Sequence, residues 1–191
     1  MMSDNLTAAL LFLINTLFDL YLFVLIIRII LVYVGSNYFD PVTQFVVKLT
    51  DWIVKPLRRI VPNIGRIELS SILLVLILEI VKFSLVSSLS FGLPHPLGLL
   101  ILAVGDALKM LIMTFFYAII LQVLVSWLQP YSPVSRILYQ VTLPIMRPFQ
   151  RLIPPIGGID ISPIPALIVL QLLIMLVVNP LMSLGLNATL G

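Results

Sequence analysis

Six charged side chains within long apolar stretches are the groups of this sequence that most need a chemical partner: Asp19, Arg28, Glu79, Lys82, Asp106 and Lys109. A charge at membrane depth is costly, so it usually pairs with another charge or faces a water-filled path. Glu79 and Lys82 are three residues apart, as are Asp106 and Lys109, so each pair is expected to interact along its own helix. The set therefore marks either structural ion pairs or an ion or proton pathway, and both alternatives stay open.

Asp19 and Arg28 lie in the first apolar stretch without such a neighbour. Asp19 has no basic residue within one helical turn, so it requires a partner from another helix, and Lys82 or Lys109 suits that role. Arg28 lies near the end of its stretch, where a long side chain can extend its charge to the membrane surface. We predict an interhelical ion pair for Asp19 and an interfacial guanidinium for Arg28.

A second group of candidates forms a motif, Pro-x-x-Arg-x-x-Pro-x-x-Gly with an acidic residue three positions later, which occurs twice. Its members are Pro56, Arg59, Pro62, Gly65 and Glu68 in one copy, and Pro148, Arg151, Pro154, Gly157 and Asp160 in the other. Arg59 and Arg151 are predicted to bind lipid phosphate or an acidic partner, with Glu68 and Asp160 restraining their guanidinium groups. Alternatively, the motif only shapes a turn and its arginines only fix topology.

Composition limits what these residues can do. Of 191 residues, 61% are hydrophobic and only 10% charged, whereas soluble domains carry about 25% charged residues. The chain has no cysteine and one histidine, His95 in a turn between prolines, so disulfides, thiolate catalysis and a multi-histidine metal site are excluded. No catalytic constellation is visible, and we expect a membrane protein that is not an enzyme, has no cofactor and binds no nucleic acid.

Four stretches are long and apolar enough to cross a bilayer as helices, at about 6–34, 69–88, 97–128 and 163–184. Eight of the eleven basic residues lie in the two loops after the first and third stretches: Lys48, Lys55, Arg58, Arg59, Arg66, Arg136, Arg147 and Arg151. The positive-inside rule predicts that these loops are cytoplasmic and that both termini and His95 face outward. The expected fold is all-α, with four transmembrane helices.

The second half of the sequence repeats the first. Between residues 41 and 70, eleven of thirty positions are identical at an offset of 92, and upstream an offset of 94 pairs Arg28 with Gln122 and Tyr33 with Trp127. Two crossings separate the copies, so we predict parallel repeats, 1–90 and 97–188, related by rotation about the membrane normal. Apolar spacing within Val42–Ile53 and Val134–Ile145 predicts an amphipathic helix at the membrane interface in each loop.

The duplicated motif, which ends in Gly-Gly-Ile-Asp-Ile-Ser-Pro in its second copy, resembles the signature of the YggT family, also called YlmG-like. The pair Ser126-Trp127 is also typical of that family, and the resemblance covers nearly the whole chain in the two-repeat bacterial form. The first copy departs from the pattern with Arg66-Ile67-Glu68-Leu69. The resemblance implies a small integral protein of the bacterial plasma membrane. Plastid relatives are associated with cytochrome b6 haem attachment and nucleoid organisation, and some bacterial relatives with osmotic stress.

Two functions follow as expectations. The first is a non-catalytic inner-membrane scaffold or assembly factor, which contacts anionic lipid headgroups and either a membrane-protein partner or further copies of itself. The second is an ion or small-solute permeation protein that responds to osmotic stress and acts as an oligomer, because four helices rarely enclose an aqueous path alone.

Overall fold

The computed structural model describes residues 2–90, 94–155, 157 and 160–190. The helices are α1 (Met2–Val34), α2 (Pro41–Arg58), α3 (Leu69–Ser90), α4 (Pro96–Leu128), α5 (Pro133–Leu152), α6 (Pro163–Leu173) and α7 (Asn179–Leu190), with a π-helical turn, Ile174–Val178, between the last two. Within these residues there is no strand, only an isolated bridge between Ile64 and Ile67. The predicted all-α fold is confirmed.

Four helical segments are long and apolar enough to span a membrane: Asn5–Val34, Leu69–Ser90, Pro96–Leu128 and Pro163–Thr189. Each falls within a few residues of a stretch predicted from hydropathy. The fourth runs through the π-helical turn and extends farther than predicted. The chain is therefore a multi-pass α-helical membrane protein.

Each long loop contains a shorter helix that begins at a proline, Pro41 in α2 and Pro133 in α5. Proline suits a first helical position because the missing N–H would have no intrahelical partner there. In α2 the side chains of Val46 and Val54 are buried, whereas Phe45 and Trp52 are 63% and 70% exposed. The apolar residues of α2 therefore divide between a face packed on the bundle and a face left uncovered by the protein.

The spanning helices define two ends of the molecule. The helix α2 joins α1 to α3 and α5 joins α4 to α6, so both loop helices lie at the same end of the bundle. We call it the basic end, because the two loops there carry eight of the eleven basic residues. At the opposite end α4 packs closely on α7. A Cβ atom on Gly98 would lie 2.5 Å from the backbone nitrogen of Thr189, and one on Gly185 would lie 2.9 Å from Leu102 Cγ. Glycine at these positions allows the two helices to approach.

The turns that follow α2 and α5 share one backbone feature. Gly65 and Gly157 have φ angles of 58° and 60°, in the left-handed region that disfavours side chains. In the first turn, Ile64 and Ile67 exchange backbone hydrogen bonds of 3.1 and 3.0 Å. Several residues of the loops and motifs considered above lie outside the described residues: Phe91, Gly92, Leu93, Ile156, Gly158, Ile159 and Gly191.

Candidate functional site: two charged clusters

The first cluster lies at the basic end and is built around Arg28, which is 2% exposed. Its Nε atom donates to Glu68 Oε2 at 2.7 Å and its Nη2 atom to Glu68 Oε1 at 3.1 Å. Its Nη1 atom donates to Thr50 Oγ1 at 2.7 Å and to Asp51 Oδ1 at 2.8 Å. One guanidinium therefore ties α1 to α2 and to the start of α3. We call this set, with Arg58 and Ser71, the Arg28 cluster.

Glu68 is the main acceptor of the Arg28 cluster and is 1% exposed. Besides Arg28, it accepts hydrogen bonds from Arg58 and, at 2.6 Å, from Ser71 Oγ. Burial alone would raise the pKa of Glu68, but the donors on Arg28, Ser71 and Arg58 outweigh it and hold that pKa below its ordinary value. The lowered pKa of Glu68 therefore favours its ionised form.

Asp51 is the second acceptor of the cluster. Burial would raise the pKa of Asp51 as well, but hydrogen bonds from Lys55 and Arg28 lower it. The Nζ atom of Lys55 lies 2.8 Å from Asp51 Oδ2 and is itself largely exposed. The cluster thus extends from the buried guanidinium of Arg28 to the exposed ammonium of Lys55 on the surface of α2.

Two sequence-based expectations about this region are wrong. Arg28 does not extend to the membrane surface, because two carboxylates and a hydroxyl hold it inside the bundle. Glu68 pairs with Arg28 and Arg58 rather than with Arg59. Successive helical residues point about 100° apart, so only one of two adjacent arginines faces Glu68. Arg59 is exposed.

The second half carries related contacts in which glutamines replace the arginines. Gln122 Oε1 accepts a hydrogen bond from Thr142 Oγ1, at positions that align with Arg28 and Thr50. Gln150 Nε2 donates to Asp160 Oδ2 at 3.0 Å, at positions that align with Arg58 and Glu68. The sequence-based prediction that Asp160 restrains Arg151 is therefore wrong, because the side chain that reaches Asp160 is Gln150.

Asp160 is exposed and fixes its own turn. Its Oδ1 atom accepts the backbone N–H of Ser162 at 2.9 Å. Partial desolvation would raise the pKa of Asp160, but hydrogen bonds from Ser162 and Gln150 outweigh it and lower that pKa. Arg151 is exposed, and no ion pair joins it to any part of the chain that the structure describes. The motif residues Pro62, Pro154, Gly65 and Gly157 shape the two turns, and the prolines contribute no donor.

The second cluster lies within the spanning helices and is built around Lys82, whose side chain is 3% exposed. Its Nζ atom lies 2.6 Å from Asp106 Oδ2, 2.7 Å from Glu79 Oε2 and 2.9 Å from Asp19 Oδ1. The interhelical partner of Asp19 is thus Lys82, one of the two that the sequence allowed. We call these four residues the Lys82 cluster; they join α1, α3 and α4.

The expected pair between Asp106 and Lys109 does not form. Asp106 instead contacts Lys82, a buried ammonium from the neighbouring helix, while Lys109 lies exposed on α4. When ionised, three carboxylates and one ammonium leave the Lys82 cluster with two excess negative charges. The side chain of Glu79 is fully buried, but that of Asp19 is 50% exposed, so part of this charge reaches the outside of the bundle.

The sequence did not predict several residues of the Arg28 cluster as site residues. Thr50, Asp51 and Arg58 come from the loop helix and lie 22 to 30 positions from Arg28. The internal alignment carried a signal for one of them, because Thr50 and Thr142 are identical in the two halves. No group of three or more His, Asp or Glu side chains in the described ranges is placed to hold a metal ion.

Fold and clusters define the class: an all-α, multi-pass membrane protein with ionic groups buried among its helices. Comparison with known proteins gives the family. The model of the CCB3/YggT family matches residues 7–89 and 101–181, and the chain belongs to that family, as its motif indicated.

Relatives match along almost the whole chain. YggT of Escherichia coli K12 is 36% identical over 177 residues, 91% of this chain and 92% of the relative. A Pseudomonas aeruginosa protein is 35% identical over 181 residues, 93% and 92% of the two chains. A Vibrio alginolyticus protein, named for its position in the proC 3′ region, is 38% identical over 170 residues, 84% and 88%. The names of these relatives give no activity, and no solved structure matches.

Proposed function

We propose that this chain is a non-catalytic scaffold of the bacterial plasma membrane, which recognises a spanning helix of another protein through the Lys82 cluster. The observation that carries the proposal is the half-exposed carboxylate of Asp19 in the middle of α1. Lipid tails offer no donor to such a group, so its exposed side calls for a cationic or hydrogen-bonding side chain. A partner helix with a lysine or arginine at that depth would also offset the excess negative charge.

The arrangement of the chain in the membrane forms part of the proposal. We place the basic end at the cytoplasmic face and both termini outside, because eight basic residues lie in the two loops that contain α2 and α5. We also place α2 and α5 along the interface, where the exposed Phe45 and Trp52 would enter lipid. The two family-model matches favour two parallel units related by rotation about the membrane normal.

Site-specific photo-cross-linking in native membranes tests the partner. A photoreactive residue at Leu20, which is 64% exposed beside Asp19, should capture another membrane protein. The same residue at Leu176, 71% exposed on the fourth span, is the matched control. Asp19→Asn should abolish the product at Leu20 and leave any product at Leu176 unchanged.

Two results would reject the scaffold. One is capture of nothing but further copies of this chain at Leu20. The other is a product whose yield does not change with Asp19→Asn, because that product would not depend on the charge.

A second candidate function rests on Glu79. Its side chain is 0% exposed, its Oε2 atom contacts Lys82, and its Oε1 atom has no hydrogen-bond partner among the described residues. A buried carboxylate oxygen without a donor offers a place for a proton or cation, which favours permeation by an oligomer. Purified protein in liposomes would then conduct, and Asp19→Asn or Glu79→Gln would abolish the flux. Absence of flux under ion gradients and osmotic tension would exclude this function.

A further inference from the structure

A cavity of about 350 Å³ opens at the basic end, between the end of α1, the turn that follows α2, and α5. Its polar lining consists of Tyr33, Arg66, Gln140 and Arg147, and the remaining wall is apolar. These side chains come from both halves of the chain. None of them belongs to the Arg28 cluster or the Lys82 cluster.

The charge balance of this cavity differs from that of a neighbouring one. The cavity beside the Arg28 cluster, about 330 Å³, contains Asp51 in its lining, and that carboxylate contacts both Arg28 and Lys55. Among the described residues, no carboxylate lines the cavity with Arg66 and Arg147. Neither arginine forms an ion pair with any residue in the described ranges. Two guanidinium groups thus face one cavity without an anionic side chain from the part of the chain that the structure describes.

We propose that this cavity binds a phosphate-bearing anion, either the headgroup of an anionic membrane lipid or a free phosphate compound. Arginine presents a planar set of N–H donors that matches phosphate oxygens in pairs. Tyr33 and Gln140 add a hydroxyl and an amide as further donors. The volume lies within the range of small-molecule sites, about 300–1,000 Å³, and the apolar wall suits the carbon atoms next to a phosphodiester.

The site occurs once in the chain. At the internal offset of 92, the second half has Gly158 where the first has Arg66, and the first half has Lys55 where the second has Arg147. Lys55 already contacts Asp51. The departure of the first motif from the family pattern at Arg66 therefore supplies one wall of an anion site, and we expect one ligand per chain.

Thermal unfolding of the purified full chain in a neutral detergent tests the proposal, because a ligand that binds only the folded state raises the midpoint. The probes are short-chain phosphatidylglycerol, short-chain phosphatidylcholine and inorganic phosphate. Phosphatidylglycerol should stabilise the wild type more than phosphatidylcholine does. Stabilisation by inorganic phosphate as well would identify a free phosphate compound as the source, and its absence would identify the lipid headgroup.

A charge-matched pair of double variants localises the binding. Arg66→Gln with Arg147→Gln should weaken the affinity for the stabilising probe by roughly tenfold or more, since charged hydrogen bonds are lost. Lys48→Gln with Arg136→Gln removes the same number of charges from exposed positions on α2 and α5 outside this cavity and should bind like the wild type. Arg147→Lys keeps the charge but not the planar donors, so it should bind more weakly and remain folded.

Three results would overturn the proposal. The first is no stabilisation of the wild type by phosphatidylglycerol or by inorganic phosphate. The second is equal weakening in the two double variants, which would indicate general attraction to a basic surface. The third is wild-type affinity for the stabilising probe in the Arg66→Gln and Arg147→Gln double variant.

Discussion

The two halves of this chain hold their loop helices with different chemistry at aligned positions. In the first half a buried guanidinium on Arg28 reaches Thr50, and Arg58 reaches Glu68. In the second half an amide on Gln122 meets Thr142, and Gln150 reaches Asp160. The partners keep their places while the formal charge changes. The backbone arrangement therefore requires a polar link at each place but not an ionic one.

The arginine contacts of the first half are more sensitive to substitution than the glutamine contacts of the second half. Removal of one partner from a buried ion pair leaves an uncompensated charge, whereas a neutral pair leaves only an unsatisfied dipole. The first half thus depends on every member of the Arg28 cluster. The second half tolerates change, and its acceptor Asp160 is exposed to solvent.

The largest expected difference between the halves comes from truncation of the central residue in each. Arg28→Ala leaves Glu68 without its main donor and Asp51 with Lys55 alone, and should destabilise the fold by about 3–5 kcal/mol. Gln122→Ala removes one neutral hydrogen bond and should cost about 1 kcal/mol. Unfolding of each purified variant by increasing fractions of denaturing detergent measures both values.

The double variant Arg28→Gln with Glu68→Gln is the control for this comparison, because it converts the charged link into a neutral one. Its cost should be smaller than the sum of its two single variants by about 1–3 kcal/mol. Additive costs, or equal costs for Arg28→Ala and Gln122→Ala, would show that the halves do not differ in this way.

The next largest effect comes from the glycine with a positive φ angle that each half has in its turn. Gly65→Ala and Gly157→Ala each place a Cβ atom on a residue with φ near 60°, and each should destabilise the protein by about 1–2 kcal/mol. Neither position has a neighbouring atom within 4 Å of the added carbon, so backbone strain alone sets the cost. The same unfolding assay should give similar values for both, and a large inequality would mean that the turns are not equivalent.

The smallest effect is the loss of stability in acid. Glu68 and Asp51 have lowered pKa values in the folded protein. Their contribution is complete above the ordinary values of 4.5 and 3.8 and is lost as the pH falls through the lower folded values. The stability of the protein, measured as its unfolding midpoint at a series of pH values from 7 downward, should therefore start to decrease once the pH is below about 4.5.

Substitution of Glu68 or of Asp160 shows how much of the stability lost in acid comes from each half. Glu68→Gln should flatten the pH dependence more than Asp160→Asn, since Glu68 accepts hydrogen bonds from three residues while buried. A steeper dependence in Glu68→Gln would contradict the assignment of the lowered pKa to the Arg28 cluster.

The four spans could be predicted because hydropathy over about twenty residues reports directly on transfer into a bilayer. The partner of Asp19 could be narrowed to two lysines, since a carboxylate at that depth has few alternatives. The pairing of Arg28 with Glu68 could not be predicted. These residues are 40 positions apart, and the sequence does not specify how α1 and the start of α3 rotate about their axes.

Two other errors have local causes. Arg58 and Arg59 are adjacent in sequence, so the phase of α2, set by its packing on α1 and α3, decides which of them meets Glu68. The spacing of Asp106 and Lys109 permits a pair along α4, but Lys82 competes for Asp106 from the neighbouring helix. Competition between partners is a property of the assembled bundle, and spacing along one helix does not reveal it.

The Lys82 cluster also bears on how the chain is made. Asp19 is synthesised 63 residues before its partner, so α1 enters the bilayer with an uncompensated carboxylate that costs about 2.5–3.5 kcal/mol on insertion scales. The surrounding leucine, isoleucine and phenylalanine side chains make that insertion feasible. Arrival of α3 delivers Lys82 already beside Glu79, and α4 then adds Asp106 to the same ammonium. A nascent chain interrupted before residue 82 lacks the ammonium that Asp19 contacts in the finished protein. Such a fragment exposes an unpaired carboxylate in the bilayer, a chemical difference that membrane quality control could recognise.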